Sequence, residues 1–361
     1  MRKHNFYAGP STLPIPVLEE LRDQIADYQG MGLSLIETSH RSKEYDAVHS
    51  AALAGLRAHL ELSDDYDVLL LGGGATMQFG MIPLNFLGSG DHADIVVSGS
   101  WAQKAHDDLN MVGKANVLFD GAELAYTTLP APESIVPSPG AKYVHITSNE
   151  TIGGLQWKSF PQTGDVPLVV DMSSDILSRK LDIRQFGLAF AGAQKNLGPA
   201  GVTLVIIRRD MIEAGRKELP AYLSYRTHAK KDSLYNTPPV FCIYALSLVM
   251  KWITDQGGLS AIEATNNEKA GLLYGVIDEN PDFFRCPVSR ENRSTMNAVF
   301  RLPTEELEAQ FVKGATEEGM LGLKGHRSVG GIRVSMYNAL PMASIETLTG
   351  YMRSFAANHG V

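Results

Sequence analysis

Five short polar segments in this chain each follow an apolar run, and each carries groups able to do chemistry. Gly72–Gly74, Ala75 and Thr76 follow DVLLL (67–71). Ser100 and Trp101 follow DIVV (94–97). Asn149, Glu150 and Thr151 follow YVHIT (143–147). Asp171 ends PLVV (167–170). Gln194 and Lys195 follow LAFAG (188–192), and a Gly/Pro-rich turn, NLGPAG, separates Lys195 from a further apolar run, VTLVII (202–207). In an open parallel sheet, ligands gather beyond the carboxyl ends of the strands. One polar residue at such an end carries little weight; five in series predict a site.

The groups differ in what they offer. A glycine-rich turn opening a helix exposes backbone N–H groups that suit a phosphate. The Gly-Lys-Ser/Thr of a nucleotide loop and the GxGxxG dinucleotide pattern are both absent, so the turn by itself also reads as a tight strand-to-helix connection. A tryptophan past a strand end is either core or a stacking face. A carboxylate such as Asp171 in apolar surroundings needs a cationic partner, a helix cap or an ion pair. A lysine at the mouth of a sheet can lose solvent, so that its amine becomes a nucleophile; taken alone, Lys195 reads better as a solvated surface lysine. Together they supply an amine, a carboxylate for a pyridinium nitrogen, an aromatic face and amides for a phosphate. Pyridoxal phosphate requires that set.

The surrounding pattern must hold these groups in place. Strands are expected at 67–71, 94–100, 143–149, 167–173, 188–192 and 202–207, with helices from MQFGMIPLNFLG and from about Trp101. Short β-rich runs between helical or turn segments predict an α/β domain with a mostly parallel sheet covered on both faces. After about residue 257 the pattern changes to long amphipathic helices with two strand-like runs, MNAVFRL and GGIRVSMY, which predicts a smaller α+β domain. The expected division is a large domain over 15–256 and a small one from 1–14 and 257–361.

The totals set limits. The chain has 361 residues, 44% of them hydrophobic and 20% charged, with a formal net charge of −8. That composition fits a well-filled core and argues against nucleic acid as a partner. Cys242 and Cys286 form no disulfide framework and have no metal-ligand spacing. The N-terminal segment lacks an apolar signal core, and the longest apolar run (240–250) is too short for a bilayer. A cytoplasmic protein without a membrane partner or a metal is expected.

The chain resembles the phosphoserine aminotransferases, class V aminotransferases of the fold-type I pyridoxal-phosphate enzymes. NFYAGPSTLP, SHRSKEY, GGGATMQF, SNETIGG, DMSSDILSR, AGAQKNLGPAG, YNTPPVF and GHRSVGGIRVSMYNA carry the resemblance, which covers essentially the whole sequence. It implies a seven-stranded, mostly parallel sheet in the large domain. It implies that Lys195 is the Schiff-base lysine and proton shuttle, that Asp171 pairs with the pyridinium nitrogen, and that Trp101 stacks on the ring. Thr151 would lie near the ring, with Ala75, Thr76 and Gln194 at the phosphate. Asn236 and Thr237 would reach the cofactor phosphate of a partner subunit, making a homodimer with shared active sites. Arg333 would clamp a substrate α-carboxylate, and His40, Arg41, His326 and Arg327 would take the phosphate of phosphoserine or the distal carboxylate of glutamate. The implied reaction moves an amino group between L-glutamate and 3-phosphohydroxypyruvate, giving 2-oxoglutarate and O-phospho-L-serine, a step of serine biosynthesis. The family's role in vitamin B6 synthesis also permits 4-phosphohydroxy-L-threonine.

Two positions depart from the pattern of some relatives: Ala75-Thr76 stands where they have Gly-Arg, and Ala8 where they have serine. Segment 222–234 is more basic than in some, so Arg226, His228, Lys230 and Lys231 read either as added charge near a neighbouring site or as an exposed loop. Rival readings are a class V enzyme acting on serine, alanine or cysteine, a non-catalytic carrier of the cofactor, and a nucleotide-binding enzyme. Two His-Arg pairs argue against a serine or alanine enzyme, and the apolar setting of Cys242 with Cys286 outside any motif against a cysteine one; Arg333, Arg41 and Arg327 argue against the carrier, and the missing Lys-Ser/Thr against the nucleotide enzyme.

Overall fold

The computed structural model describes residues 2–360; Met1 and Val361, at the outer ends of the expected small-domain segments, lie outside the described residues. Its strands are β1 (His4–Asn5), β2 (Tyr66–Leu71), β3 (His92–Val97), β4 (Lys114–Asp120), β5 (Val144–Thr147), β6 (Asn149–Glu150), β7 (Leu155–Gln156), β8 (Leu168–Asp171), β9 (Leu188–Gly192), β10 (Thr203–Arg208), β11 (Asn297–Phe300), β12 (Met320–Leu321) and β13 (Ile332–Ser335). Its helices are α1 (Ile15–Gln24), α2 (Lys43–His59), α3 (Gly74–Phe86), α4 (Ser100–Val112), α5 (Arg209–Ala214), α6 (Tyr225–Lys230), α7 (Val240–Asp255), α8 (Gly258–Glu279), α9 (Glu305–Glu317) and α10 (Met342–Asn358).

Seven strands form the central sheet in the order β2-β10-β9-β8-β5-β3-β4. β10 runs antiparallel to both β2 and β9, and the other pairings are parallel. The carboxyl ends of β2, β9, β8, β5 and β3 therefore share one edge. Side chains alternate along each strand, which assigns them to faces. Val68, Leu70, Ile146 and Val170 pack towards α2 and α7, where Ala52 and Val249 lie in the same core. Leu69, Ile95, Val169 and Phe190 pack towards α3 and α4, with Phe79, Ile82 and Leu109. Asp171 has the parity of Val169 and is in register with Thr147 of β5. Both side chains thus project to the α3/α4 side of the sheet edge.

A separate core joins both ends of the chain. Phe6 packs with Leu273, Phe311, Met320, Val334 and Leu348, and β1 pairs in parallel with β12. Among the described residues, no helix is long and apolar enough to cross a membrane.

The structure changes several expectations. β4 has no counterpart among the expected strands: it is an edge strand, its burial is partial and uneven, and a continuous apolar signal never develops. Helix α3 begins at Gly74, three residues before MQFG. Gly73 and Gly74 have φ of 90° and 67°, a backbone that glycine adopts without a Cβ clash, and this lets the helix start at once. Segment 222–234 is not an exposed loop. It contains α6, with Tyr225 and His228 buried. Arg226 donates to the carbonyls of Ile212 and Glu213 at 2.8 and 3.0 Å, and the His228 imidazole contacts the Tyr222 carbonyl at 2.7 Å. These two groups are bound into the fold, whereas Lys230 and Lys231 are exposed.

Candidate active site

Lys195 stands on a closed turn between β9 and β10. The N–H of Ala193 donates to the Val202 carbonyl at 2.9 Å, and those of Leu197 and Gly198 donate back to Ala193 at 3.1 and 2.9 Å. Gly201 has φ 135°, and a Cβ there would lie 2.8 Å from Cys242 Sγ on α7, so the turn is seated against that helix. The N-terminal segment crosses on top: Ser11 Oγ donates to the Lys195 carbonyl at 2.6 Å, and Ser11 N–H to that of Gln194 at 3.0 Å.

Lys195 is only 8% exposed. Its Nζ donates to Thr151 Oγ1 at 2.6 Å and lies 5.7 Å from the centre of the Trp101 ring. Burial pulls its pKa down to about 8, against the opposing pull of the Asp171 and Glu150 charges. Asp171 accepts the Ser173 N–H at 2.9 Å. Burial pushes its carboxyl up, while the Ser173 bonds and the Lys195 charge act the other way. Trp101 belongs to the first turn of α4, and Glu150 accepts the N–H groups of Trp101 and Ala102 at 3.2 and 3.1 Å.

These residues surround one cavity, lined by Gly74, Ala75, Thr76, Trp101, Thr147, Asn149, Thr151, Asp171, Ser173, Ser174, Gln194 and Lys195. The cavity is small, about 100 Å³ in volume. Ala75 and Thr76 lie in the first turn of α3, where the leading N–H groups have no intrahelical acceptor and Gly73 supplies no capping side chain. The hydroxyl of Thr147 and the indole Nε1 of Trp101 are buried without a hydrogen-bond partner.

Arg333 of β13 is half-buried, with its Nε buried and unpartnered. Burial lowers its pKa. His326 and Arg327 lie on the connection from β12 to β13. Burial lowers the His326 pKa, and the charges of Arg333, Arg327 and Lys104 push it the same way, which places four basic groups in one neighbourhood. Lys104 also sits 4.3 Å from the Trp101 ring centre. His40 and Arg41 occupy the turn before α2; within this chain and among the described residues, no hydrogen bond or ion pair joins them to Arg333, His326 or Arg327. Asn236 and Thr237 are exposed just before α7, outside the cavity.

Several residues here had no assigned role in the sequence reading. Thr147 and Ser173 adjoin Asp171. The hydroxyl of Tyr337 donates to the Ala8 carbonyl at 2.7 Å, so the backbone at that departure is engaged by the protein itself. Lys104 gave no signal beyond its spacing three residues after Trp101.

A family model described as aminotransferase class-V matches residues 3–348. The chain belongs to this family. It is 50% identical over 359 residues to the phosphoserine aminotransferase of Niallia circulans, covering 99% of each sequence. A solved phosphoserine aminotransferase from Bacillus circulans subsp. alkalophilus superposes with a TM-score of 0.98 at 50% identity, covering 99% of both chains. A pyridoxal-phosphate-bound phosphoserine aminotransferase from Trichomonas vaginalis does so with a TM-score of 0.92 at 37% identity, covering 98% of this chain and all of that one. Class-V aminotransferases depend on pyridoxal phosphate. This member places its buried lysine, its buried aspartate and a helix N-terminus around a single cavity.

Proposed function

We propose that this class-V aminotransferase is a phosphoserine aminotransferase. It moves an amino group reversibly between L-glutamate and 3-phosphohydroxypyruvate, giving 2-oxoglutarate and O-phospho-L-serine. The observation that carries the reading is the convergence of Lys195, Asp171, Trp101 and the start of α3 on one cavity, in a chain half identical to enzymes of that name.

The cavity fits pyridoxal 5'-phosphate. Its donor set is complementary, and two buried polar atoms, Thr147 Oγ1 and Trp101 Nε1, have no partner within the protein. Lys195 would hold the aldehyde carbon and Asp171 the ring nitrogen. Trp101 would cover one ring face, with Thr151 beside it. Ala75, Thr76, Gln194 and the first N–H groups of α3 would take the phosphate. Asn236 and Thr237, outside their own chain's cavity, are assigned to the phosphate of a second copy in a homodimer. When bound, the cofactor supplies the electron sink for charge developing at the substrate α-carbon.

The rest is the chain's own work. With a pKa of about 8, Lys195 is partly neutral near pH 7 and able to take a proton at Nζ. The turn between β9 and β10 fixes where that nitrogen stands. Arg333 offers its planar fork to the α-carboxylate. His40, Arg41, His326 and Arg327 are assigned to the distal phosphate or carboxylate.

The test is an absorbance spectrum of the purified, cofactor-reconstituted protein before and after O-phospho-L-serine. A band near about 400 nm that converts to one near about 330 nm supports the reading. Conversion by serine or alanine but not by phosphoserine refutes the substrate assignment. Absence of the first band refutes the role of Lys195.

A further inference from the structure

Glu150 is 1% exposed and carries its carboxylate into a space with no arginine or lysine bonded to it. What it does contact is the start of α4. Its Oε2 accepts the Trp101 N–H at 3.2 Å, and its Oε1 accepts the Ala102 N–H at 3.1 Å and the Ser98 hydroxyl at 3.4 Å. The backbone makes room for this arrangement: a Cβ on Gly99 would lie 2.5 Å from Glu150 Cδ and 2.7 Å from Oε2. Gly99 has an extended backbone (φ 171°) open to any residue, so the glycine is required by space alone.

The neighbours of Glu150 in sequence bind elsewhere. Asn149 Nδ2 donates to Ser174 Oγ and to Asn297 Oδ1 at 2.7 and 2.8 Å, tying this short strand to β11 of the other core. Thr151 receives the Lys195 amine. One tripeptide thus fixes three bodies: the second core, the first turn of α4, and the reactive amine. Trp101 lies between the last two, and its own indole nitrogen is unpartnered, so no side-chain hydrogen bond orients the ring. The ring packs against the α3/α4-side core with Lys104 4.3 Å from its centre, and it stands on the backbone that Glu150 grips.

We propose that Glu150 is a positioning residue for the cofactor, acting through Trp101: its carboxylate clamps the first turn of α4 and thereby holds the indole at the wall of the cavity that the cofactor would fill. The inference rests on the proposed function above. Burial raises the Glu150 pKa to about 7; the Trp101 and Ala102 N–H groups and the Lys195 charge pull it down, and the Asp171 charge adds to the rise.

A double-mutant cycle on cofactor retention tests it. The dissociation constant of pyridoxal phosphate from the full chain is read from the absorbance band, with thermal midpoints confirming that each variant is folded. In the native background Glu150→Gln, which sets an N–H donor against backbone N–H donors, weakens retention by about tenfold. In a Trp101→Ala background the same change costs less than about twofold. Gly99→Ala, which displaces the carboxylate without altering it, reproduces the loss and the same dependence on Trp101; it carries the comparison should Glu150→Gln not fold. Equal losses in both backgrounds, or no loss, overturn the inference while leaving the proposed function standing. Absence of the band in the unsubstituted protein overturns both.

Discussion

Replacing Thr151 with valine removes the one hydroxyl bonded to the Lys195 amine and keeps the side chain's shape. Thr151 is 3% exposed and Lys195 8%, so water does not readily take the missing place. The bond, at 2.6 Å, is charge-assisted while the amine is protonated. Such bonds contribute about 1.5–3 kcal/mol, against about 0.5–1.5 for a neutral pair. The loss therefore falls on the charged form by a difference of about 1–1.5 kcal/mol, close to one pKa unit. Lys195 begins at about 8, already lowered by burial, and the variant should titrate nearer about 7. The sign is fixed, because losing an acceptor disfavours the ammonium. The assay is the rate at which the apo-protein captures pyridoxal phosphate, followed by stopped-flow absorbance across the pH range, since only the neutral amine attacks. The rate of the native protein should rise through about pH 8 and that of the variant about one unit lower. Superimposable profiles, or a shift to higher pH, would refute the argument that Thr151 holds Lys195 in its charged form.

Lys195→Ala should abolish transamination in a folded protein; near-normal turnover of the purified, cofactor-loaded variant would sink the assignment. If Arg333 takes the substrate α-carboxylate as proposed, Arg333→Met loses a charge-assisted contact, and KM for amino-acid substrates should rise roughly tenfold to a hundredfold while the cofactor band stays. An unchanged KM for glutamate would place the α-carboxylate elsewhere. Lys269, fully buried, donates to the carbonyls of Met336, Tyr337 and Leu340 at 3.1, 2.8 and 3.2 Å, just after the strand that bears Arg333. Lys269→Met removes the ammonium from all three carbonyls, of which Tyr337 keeps the Leu340 N–H, and should cost at least about 2 kcal/mol in chemical denaturation. An equal or higher stability would mean that desolvating the ammonium outweighs its three bonds.

Much of the cavity was legible because fully buried strands write continuous apolar runs. LAFAG, PLVV and YVHIT end where the sheet ends, so the polar residue after each run marks the site edge. Lys195, Asp171, Trp101 and Thr151 all follow from that rule. The rule fails where burial is partial. β4 is an edge strand with a mixed pattern, and it left no signal. The basic segment around Arg226 looks soluble by composition, yet its guanidinium is spent on backbone carbonyls. Glu150 sits inside a legible motif, but a carboxylate gripping a helix that begins 50 residues earlier has no signature in local spacing.

The sequence by itself determined the order of strands and turns and the residue types at each sheet edge, because these depend on local apolar periodicity and on glycine at the turns. Tertiary structure decided which of those residues meet. Strand parity and register bring Thr147 beside Asp171. The antiparallel insertion of β10 leaves Lys195 pointing along the same edge as its partners. The pairing of β1 with β12 draws the N-terminal segment across Lys195, and β13 delivers Arg333 from more than a hundred residues away. Such long-range contacts come from burying two cores against one another, and no short window of sequence contains both sides.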